Sequence, residues 1–291
     1  MSQTSYLMDL FLKLNLDKVA WSLRRLYCPV SKSALVLEVG SGGNPYFRSN
    51  VLIDAYLETR ERHFAKLISD RPTVLGFVEN LPFKNDSFDF VIASHVLEHS
   101  KDPVLFLSEI QRVASAGYIE VPDAFFERLA CYLDHRLEIT DKKNELIIRK
   151  KESYIQDNEI LDLFSNKVKP IFGNIVSKKP FQFNVRFYWS KDSGGIKYKI
   201  LNPEYEFNWE SPKTEKKEIK SSTVARLKKR SLHYARKYLS QHKRNNKIDL
   251  MSLIMCPKCT SDKFVKNKDI DVSCLSCGST YEMDDKVIKF N

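Results

Sequence analysis

Three of the chain's nine glycines fall within four positions, Gly40, Gly42 and Gly43, directly behind the apolar run LVLEV (35–39). A buried strand that ends in a glycine-rich turn lets a ligand approach the backbone. A second short run, VLIDA (51–55), follows and carries Asp54 at its end. Strand, glycine turn and acidic strand end, in that order, are how open α/β sheets build a nucleoside site. Further short apolar runs stand at 74–77, 88–93 and 117–121, with helical stretches between them, notably 103–114. They are continuous rather than alternating, which suits a doubly wound parallel sheet covered on both faces.

Spacing narrows the ligand. A dinucleotide loop of the GxGxxG kind needs its third glycine where helix and strand pack closely, and counting from Gly40 and Gly42 that position is Pro45. Proline adds bulk and removes a backbone donor there. No Gly-Lys-Ser/Thr follows, so the loop is not a phosphate-binding P-loop. What remains is a nucleoside without phosphates, of which S-adenosylmethionine is the common one. On this reading Glu38 faces its ammonium, the amides of Gly40, Ser41, Gly42 and Gly43 its carboxylate, and Asp54 its ribose hydroxyls.

The stretch ENLPFKNDSFDFVIASHVLEHSKDP (79–103) reads as a turn, a strand, and a loop carrying Ser94, His95, Glu98 and His99. Asp102-Pro103 then starts a helix, with proline at the first helical position behind a capping aspartate. Over about residues 30–125 these motifs resemble the class I S-adenosylmethionine-dependent methyltransferases, in particular the subgroup with an ENLPF…SFDFV…LEH signature. The resemblance implies a Rossmann-like sheet with S-adenosylmethionine as cofactor. It places Glu38, Gly40 and Gly42 at the methionine end, Asp54 on the ribose, Val78 and Glu79 at the adenine edge, and Ser94 and His95 beneath the sulfonium. Two features depart from the family. Phe77 stands where many relatives are acidic, and only residues 40–50 connect the first two strands, so the usual first helix is expected to shrink to a turn or two.

With 291 residues and 43% hydrophobic content, the chain is long enough for more than one domain. No stretch approaches 18 uncharged apolar residues, so no transmembrane helix is expected. Asp9, Lys13 and Asp17 interrupt any signal-peptide core, and a cytoplasmic protein is expected. Leu7, Leu10, Phe11, Leu14 and Val19 suit one amphipathic helix, about 5–26, packed on the sheet. Cys28 and Cys131 stand alone and read as buried, inert thiols rather than a disulfide framework.

Residues 1–210 read as the methyltransferase-like domain, with a cap inserted at about 122–156. In the cap, AFFERLACYL (124–133) looks helical and LEIT-DKKN-ELIIRK (137–150) reads as a hairpin. A helix at about 157–165 is expected to return to the sheet. FQFNVRFYW (181–189) and IKYKILN (196–202), joined through Gly194-Gly195, resemble the family's closing antiparallel hairpin.

Residues 211–249 read as a linker with a basic helix at 222–242. Its core, 213–247, holds thirteen Lys or Arg against Glu215 and Glu218, a surplus of eleven where the whole chain carries +10. One segment therefore makes the protein basic. Such a segment suits RNA, the surface of an anionic membrane, or a solvated tether with no partner.

The last domain, 250–291, contains CPKC (256–259) and CLSCG (274–278), two C-x-x-C knuckles fourteen residues apart. Cys256, Cys259, Cys274 and Cys277 at that spacing suit a tetrahedral structural zinc, with no position open for catalysis. A module of about 40 residues has too little core to fold without such a staple. This stretch resembles the small zinc-ribbon activator of RNA and protein methyltransferases. The resemblance implies that the ribbon's partner is the methyltransferase domain of its own chain.

Methyl transfer from a sulfonium is an in-line displacement in which the protein chiefly aligns the nucleophile. A hydroxyl acceptor also needs a base. Candidates beyond the strand ends are His95, Asp123 and His135, with His135 and Asp123 preferred. The expected acceptor is an oxygen or nitrogen nucleophile on a small molecule, a glycan or a lipid-linked glycan precursor. An RNA or translation factor is the alternative within the enzyme class, and a catalytically inactive scaffold of the same fold is the alternative outside it.

Overall fold

The computed structural model describes residues 2–290 except 60, 61, 63, 156, 212–230, 233, 268–269 and 285–286. In chain order its strands are β1 (Val36–Val39), β2 (Val51–Asp54), β3 (Thr73–Leu75), β4 (Phe90–Ser94), β5 (Ala116–Pro122), β6 (Leu137–Lys142) and β7 (Glu145–Lys150). Then follow β8 (Asn184–Ser190), β9 (Tyr198–Ile200), β10 (Phe264–Asn267), β11 (Asp271–Cys274), β12 (Thr280–Asp284) and β13 (Val287–Lys289). The fold is α/β with a mostly parallel, Rossmann-like sheet. Among the described residues no helix is long and apolar enough to cross a membrane. The chain divides into two compact units.

The first unit, residues 30–92, 108–115 and 214–291, holds strands in the order β10-β11-β12-β13-β3-β2-β1-β4. β1 and β2 run parallel with Leu37 opposite Val51, and β2 and β3 with Leu52 opposite Thr73. Every residue of β1, β2 and β3 is buried, which is why these strands read as unbroken apolar runs. The crossover from β1 to β2 is shorter than its sequence suggests: residues 40–50 contain turns and no helix. Without helical hydrogen bonds the loop's polar groups need other partners. Glu38 accepts from Tyr46 N (2.8 Å) and Ser49 Oγ (2.5 Å). Arg71, 1% exposed, donates to the carbonyls of Tyr46 (3.2 Å) and Ser49 (2.6 Å).

The cysteine module joins this sheet directly. β13 pairs in parallel with β3, Ile288 opposite Val74, and Phe290 N donates to Leu75 O (2.8 Å). Lys84 N donates to Leu253 O (2.9 Å) and Met255 N to Pro82 O (3.0 Å). An edge strand with free amides invites unwanted pairing, and β13 covers that edge of β3. The basic helix expected at 222–242 lies partly outside the described residues. Its described end is anchored through Gln241, which accepts from Asn50 Nδ2 and donates to the Lys32 carbonyl (both 3.1 Å). Just beyond it Asn50 Nδ2 donates to Asn245 Oδ1 (2.7 Å), and Arg244 Nη1 to the carbonyls of Lys32 (2.8 Å) and Ala34 (2.9 Å).

The second unit, residues 1–29, 93–107 and 116–213, pairs β5 antiparallel with β8 from Ala116–Ser190 to Pro122–Asn184. β6 and β7 form the expected cap hairpin, closed by Lys143 (φ 52°) and Asn144 (φ 61°) in the manner of a type I′ turn. The second arm of the expected closing hairpin goes elsewhere. After Gly194 and Gly195, both left-handed, β9 runs parallel to β7 rather than back along β8, with Ile147 opposite Lys199. Helices Asn158–Leu163 and Lys169–Lys178 lie between the cap and β8; the second was not expected.

The N-terminal helix is two helices, Tyr6–Lys13 and Asp17–Leu23, broken at Asn15, which is left-handed (φ 57°). Met8 and Ala20 are the residues they bury, while Leu7, Leu10, Leu14 and Val19 are exposed.

Candidate active site

The glycine loop after β1 has the conformation its composition demands. Gly40 and Gly42 are left-handed, with φ of 63° and 59°, a region open to glycine at little cost. Gly42 N donates to Asp54 Oδ2 at 2.9 Å, so the loop and the acidic end of β2 are joined by one hydrogen bond. A Cβ on Gly43 would touch the Lys66 carbonyl at 3.4 Å. Ser41 is buried, and its hydroxyl has no hydrogen-bond partner.

Asp54 is not vacant. Its Oδ1 accepts from Tyr56 N (3.1 Å) and from Arg62 Nη1 (2.5 Å), and Arg62 Nη2 donates to Tyr56 O (2.6 Å). The segment carrying Arg62 lies back across the loop: Ile68 N donates to Gly42 O (3.0 Å), and Glu58 bridges to Lys66. Arg62 therefore holds the carboxylate that the sequence assigns to a ribose. Val78 is buried and Glu79 partly so. Beside them the rings of Tyr56 and Phe77, each 46% exposed, meet edge to face with centroids 5.9 Å apart. Glu38 is buried and committed to the loop contacts already described.

In the second unit, Ser94 and His95 close on a charged centre that sequence reasoning missed. Glu120, fully buried in β5, accepts a fork from Arg24, Nε at 2.7 Å and Nη2 at 2.9 Å. It also accepts from Ser94 Oγ (3.0 Å) and from the Tyr118 hydroxyl. His95, left-handed at φ 56°, places Nε2 3.3 Å from Glu120 and Nδ1 3.4 Å from Glu98. Burial opposes ionisation of Glu120, but His95 and Arg24 hold its carboxyl well below the usual range. Desolvation opposes charge on His95 too, and the two carboxylates override it, pushing its pKa up to about 10. The two carboxylates thus favour the imidazolium, which has no lone pair to accept a proton. The signal for Glu120 was a lone charge inside the apolar run GYIEVP.

The two preferred base candidates differ in their surroundings. Asp123 caps the helix Ala124–Ala130, accepting from Phe125 N (2.9 Å), and its other oxygen accepts from Thr140 Oγ1 (2.6 Å). Both oxygens are engaged in holding backbone and strand. His135 pairs Nδ1 with Glu127 Oε2 at 2.6 Å and stacks on Tyr132, centroids 4.6 Å apart.

Residues 37–119 match the family described as a methyltransferase domain. Over that stretch the chain is similar to methyltransferase domains. Among solved structures the chain is similar to a methyltransferase from Thermotoga maritima described as a possible histamine N-methyltransferase. That likeness has 20% identity and a TM-score of 0.29, covering 40% of this chain and 56% of that one. A chain of the complex between the Haloferax volcanii Trm112 methyltransferase activator and a methyltransferase is similar at 18% identity and a TM-score of 0.29, covering 46% and 77%. The YcgJ protein of Bacillus subtilis is similar at 16% identity and a TM-score of 0.30, covering 55% and 82%. This chain thus spans little more than half of the Thermotoga protein. No curated protein matches it.

The residues of the methyltransferase domain fit a phosphate-free nucleoside on three counts: the left-handed glycines, the unpartnered Ser41 hydroxyl and the exposed Tyr56–Phe77 pair. Among the described residues, Arg62 is the side chain on Asp54 that must yield. The cysteine module fits zinc. Cys256 and Cys277 sulfurs are 3.7 Å apart and Cys259 and Cys274 sulfurs 3.5 Å, near the roughly 3.8 Å edge of a tetrahedron with bonds of about 2.3 Å. The knuckles repeat one geometry. Thr260 N donates to Cys256 O (2.8 Å) and Gly278 N to Cys274 O (2.9 Å), and both donors are left-handed.

Proposed function

We propose that the chain transfers the methyl group of S-adenosylmethionine to an oxygen or nitrogen nucleophile. The observation that carries this is the single hydrogen bond from Gly42 to Asp54, which sets loop amides and an acidic strand end side by side. The cofactor supplies an electrophilic methyl on a sulfonium. Asp54 accepts the ribose hydroxyls once Arg62 turns away. The Gly40 and Gly43 amides and the Ser41 hydroxyl take the amino-acid end, since Gly42 N is held by Asp54 and Ser41 N by the Ile53 carbonyl. Tyr56 and Phe77 offer the adenine an apolar face, beside Val78 and Glu79, in place of an acidic partner. Ser94 and His95 belong to the methyl end by family resemblance alone.

For the acceptor we take a hydroxyl or amine of a glycan or its lipid-linked precursor. The RNA alternative needs cations free on the surface. Two arginines of the basic segment are used inside the fold instead: Arg236 is 4% exposed with Asp70 at 3.4 Å, and Arg244 is tied to Lys32 and Ala34. Four cysteine ligands hold the ribbon's zinc, which then keeps β13 formed against β3. Calorimetry of the full chain with S-adenosylmethionine tests the cofactor reading. Binding in the micromolar range that Asp54→Ala weakens supports it, and no heat at millimolar cofactor overturns it.

A further inference from the structure

Within the second unit, Glu98, His99 and His135 bring one ligating atom each to within 4.8 Å of one another. Glu98 is 2% exposed, and neither of its carboxylate oxygens makes a hydrogen bond; His95 Nδ1 lies 3.4 Å from Oε1. An anion buried that deeply without hydrogen bonds is costly. The two histidines face it with their rings at 86° and centroids 4.7 Å apart.

The second nitrogen of each ring decides what the cluster can do. His99 Nδ1 lies 3.1 Å from the Asp134 carbonyl. A carbonyl oxygen only accepts, so Nδ1 donates there. His135 Nδ1 lies 2.6 Å from the Glu127 carboxylate, which accepts in the same way. Glu127 is itself held by the buried Lys151, whose Nζ is 3.0 Å from Oε1 and 3.0 Å from the Tyr132 carbonyl. Imidazoles oriented through one ring nitrogen by a carboxylate or a backbone carbonyl are the usual outer supports of a metal centre.

We propose that Glu98, His99 and His135 bind a divalent transition-metal ion. Two imidazoles and one carboxylate suit zinc, cobalt or iron(II) better than magnesium or calcium, which prefer oxygen ligands. Ligand distances of about 2.0–2.2 Å are reached by small rotations of the three side chains. Three protein ligands leave a position open for water or another oxygen ligand. The site is separate from the four cysteines, which leave none open.

The test is metal content of the full-length protein, stripped with chelator and refilled with Co²⁺, then read by elemental analysis and visible absorption. Wild type is expected to hold one ion per chain more than Glu98→Gln or the His99→Ala/His135→Ala double variant. The intense thiolate bands of the cysteine site are expected in all of them. An equal ion count in wild type and both variants overturns the proposal. Should the variants not fold, X-ray absorption of wild type at full loading decides: imidazole scattering beside sulfur supports the site, and sulfur ligation alone overturns it.

Discussion

Arg62 donates to Asp54 across 2.5 Å, so the acidic end of β2 is already answered by a cation from the segment that follows it. On the proposed reading, a cofactor ribose competes for that carboxylate. Charge-assisted hydrogen bonds contribute about 1.5–3 kcal/mol, and the Arg62 side chain is 16% exposed, which places the pair at the low end. Arg62→Ala is therefore expected to tighten S-adenosylmethionine binding roughly tenfold. Titration calorimetry of the two proteins checks it. Equal or weaker binding by the variant assigns Arg62 to the bound state instead.

Glu120 anchors Arg24, Tyr118, Ser94 and His95 from a fully buried position. Removing one partner of a buried ion pair leaves the other charge stranded, at a cost of about 3–5 kcal/mol. Glu120→Gln is expected to lose that much in urea unfolding, and Arg24→Met to add little on top of it. The pH dependence follows from the same carboxyl. Its folded pKa lies below the ordinary 4.5, so its contribution is complete above that value and fades as pH falls below it. The wild-type curve is expected to fall progressively as pH drops below about 4.5, and the Glu120→Gln curve to be flatter there. Parallel curves contradict the assignment.

Asp123 is a helix cap. Losing an N-cap carboxylate costs typically about 1 kcal/mol, and the Thr140 hydroxyl loses its acceptor as well. Asp123→Ala is expected to lower stability by about that amount while cofactor affinity stays unchanged. Denaturant midpoints and calorimetry on one preparation test both halves, and undiminished stability removes the capping role.

Features encoded by neighbours in sequence were legible. Gly40, Gly42 and Asp54 form a local pattern, and the two C-x-x-C knuckles converge as their spacing implies. The cap hairpin was readable because Lys143 and Asn144 sit where a two-residue turn needs left-handed backbone. Features set by distant packing were not. Arg62 reaches Asp54 because the chain folds back so that Leu67 N meets Leu57 O and Ile68 N meets Gly42 O. The strand Tyr198–Ile200 has the alternation of a hairpin arm, yet it pairs with β7, a choice between two open edges that composition does not make. The loop 40–50 lacks even a short helix because buried Glu38 and Arg71 satisfy its backbone from outside, and nothing local signals that pairing.

The cysteine module and β3 share one sheet through β13. A structural zinc supplies about 10–16 kcal/mol of apparent binding free energy to a module of this kind, so its removal is expected to be felt along the shared edge. The hydrogen bonds that cross it are donated by Phe290 to Leu75, by Met255 to Pro82 and by Lys84 to Leu253. Chelation, or Cys256→Ser, is expected to speed hydrogen exchange of these three amides by at least roughly tenfold, a loss of about 1.4 kcal/mol in local opening. The melting temperature of the methyltransferase domain is expected to fall with them. If only amides within 256–284 exchange faster while Phe290, Met255 and Lys84 keep their protection, the ribbon folds on its own account and does not brace the sheet.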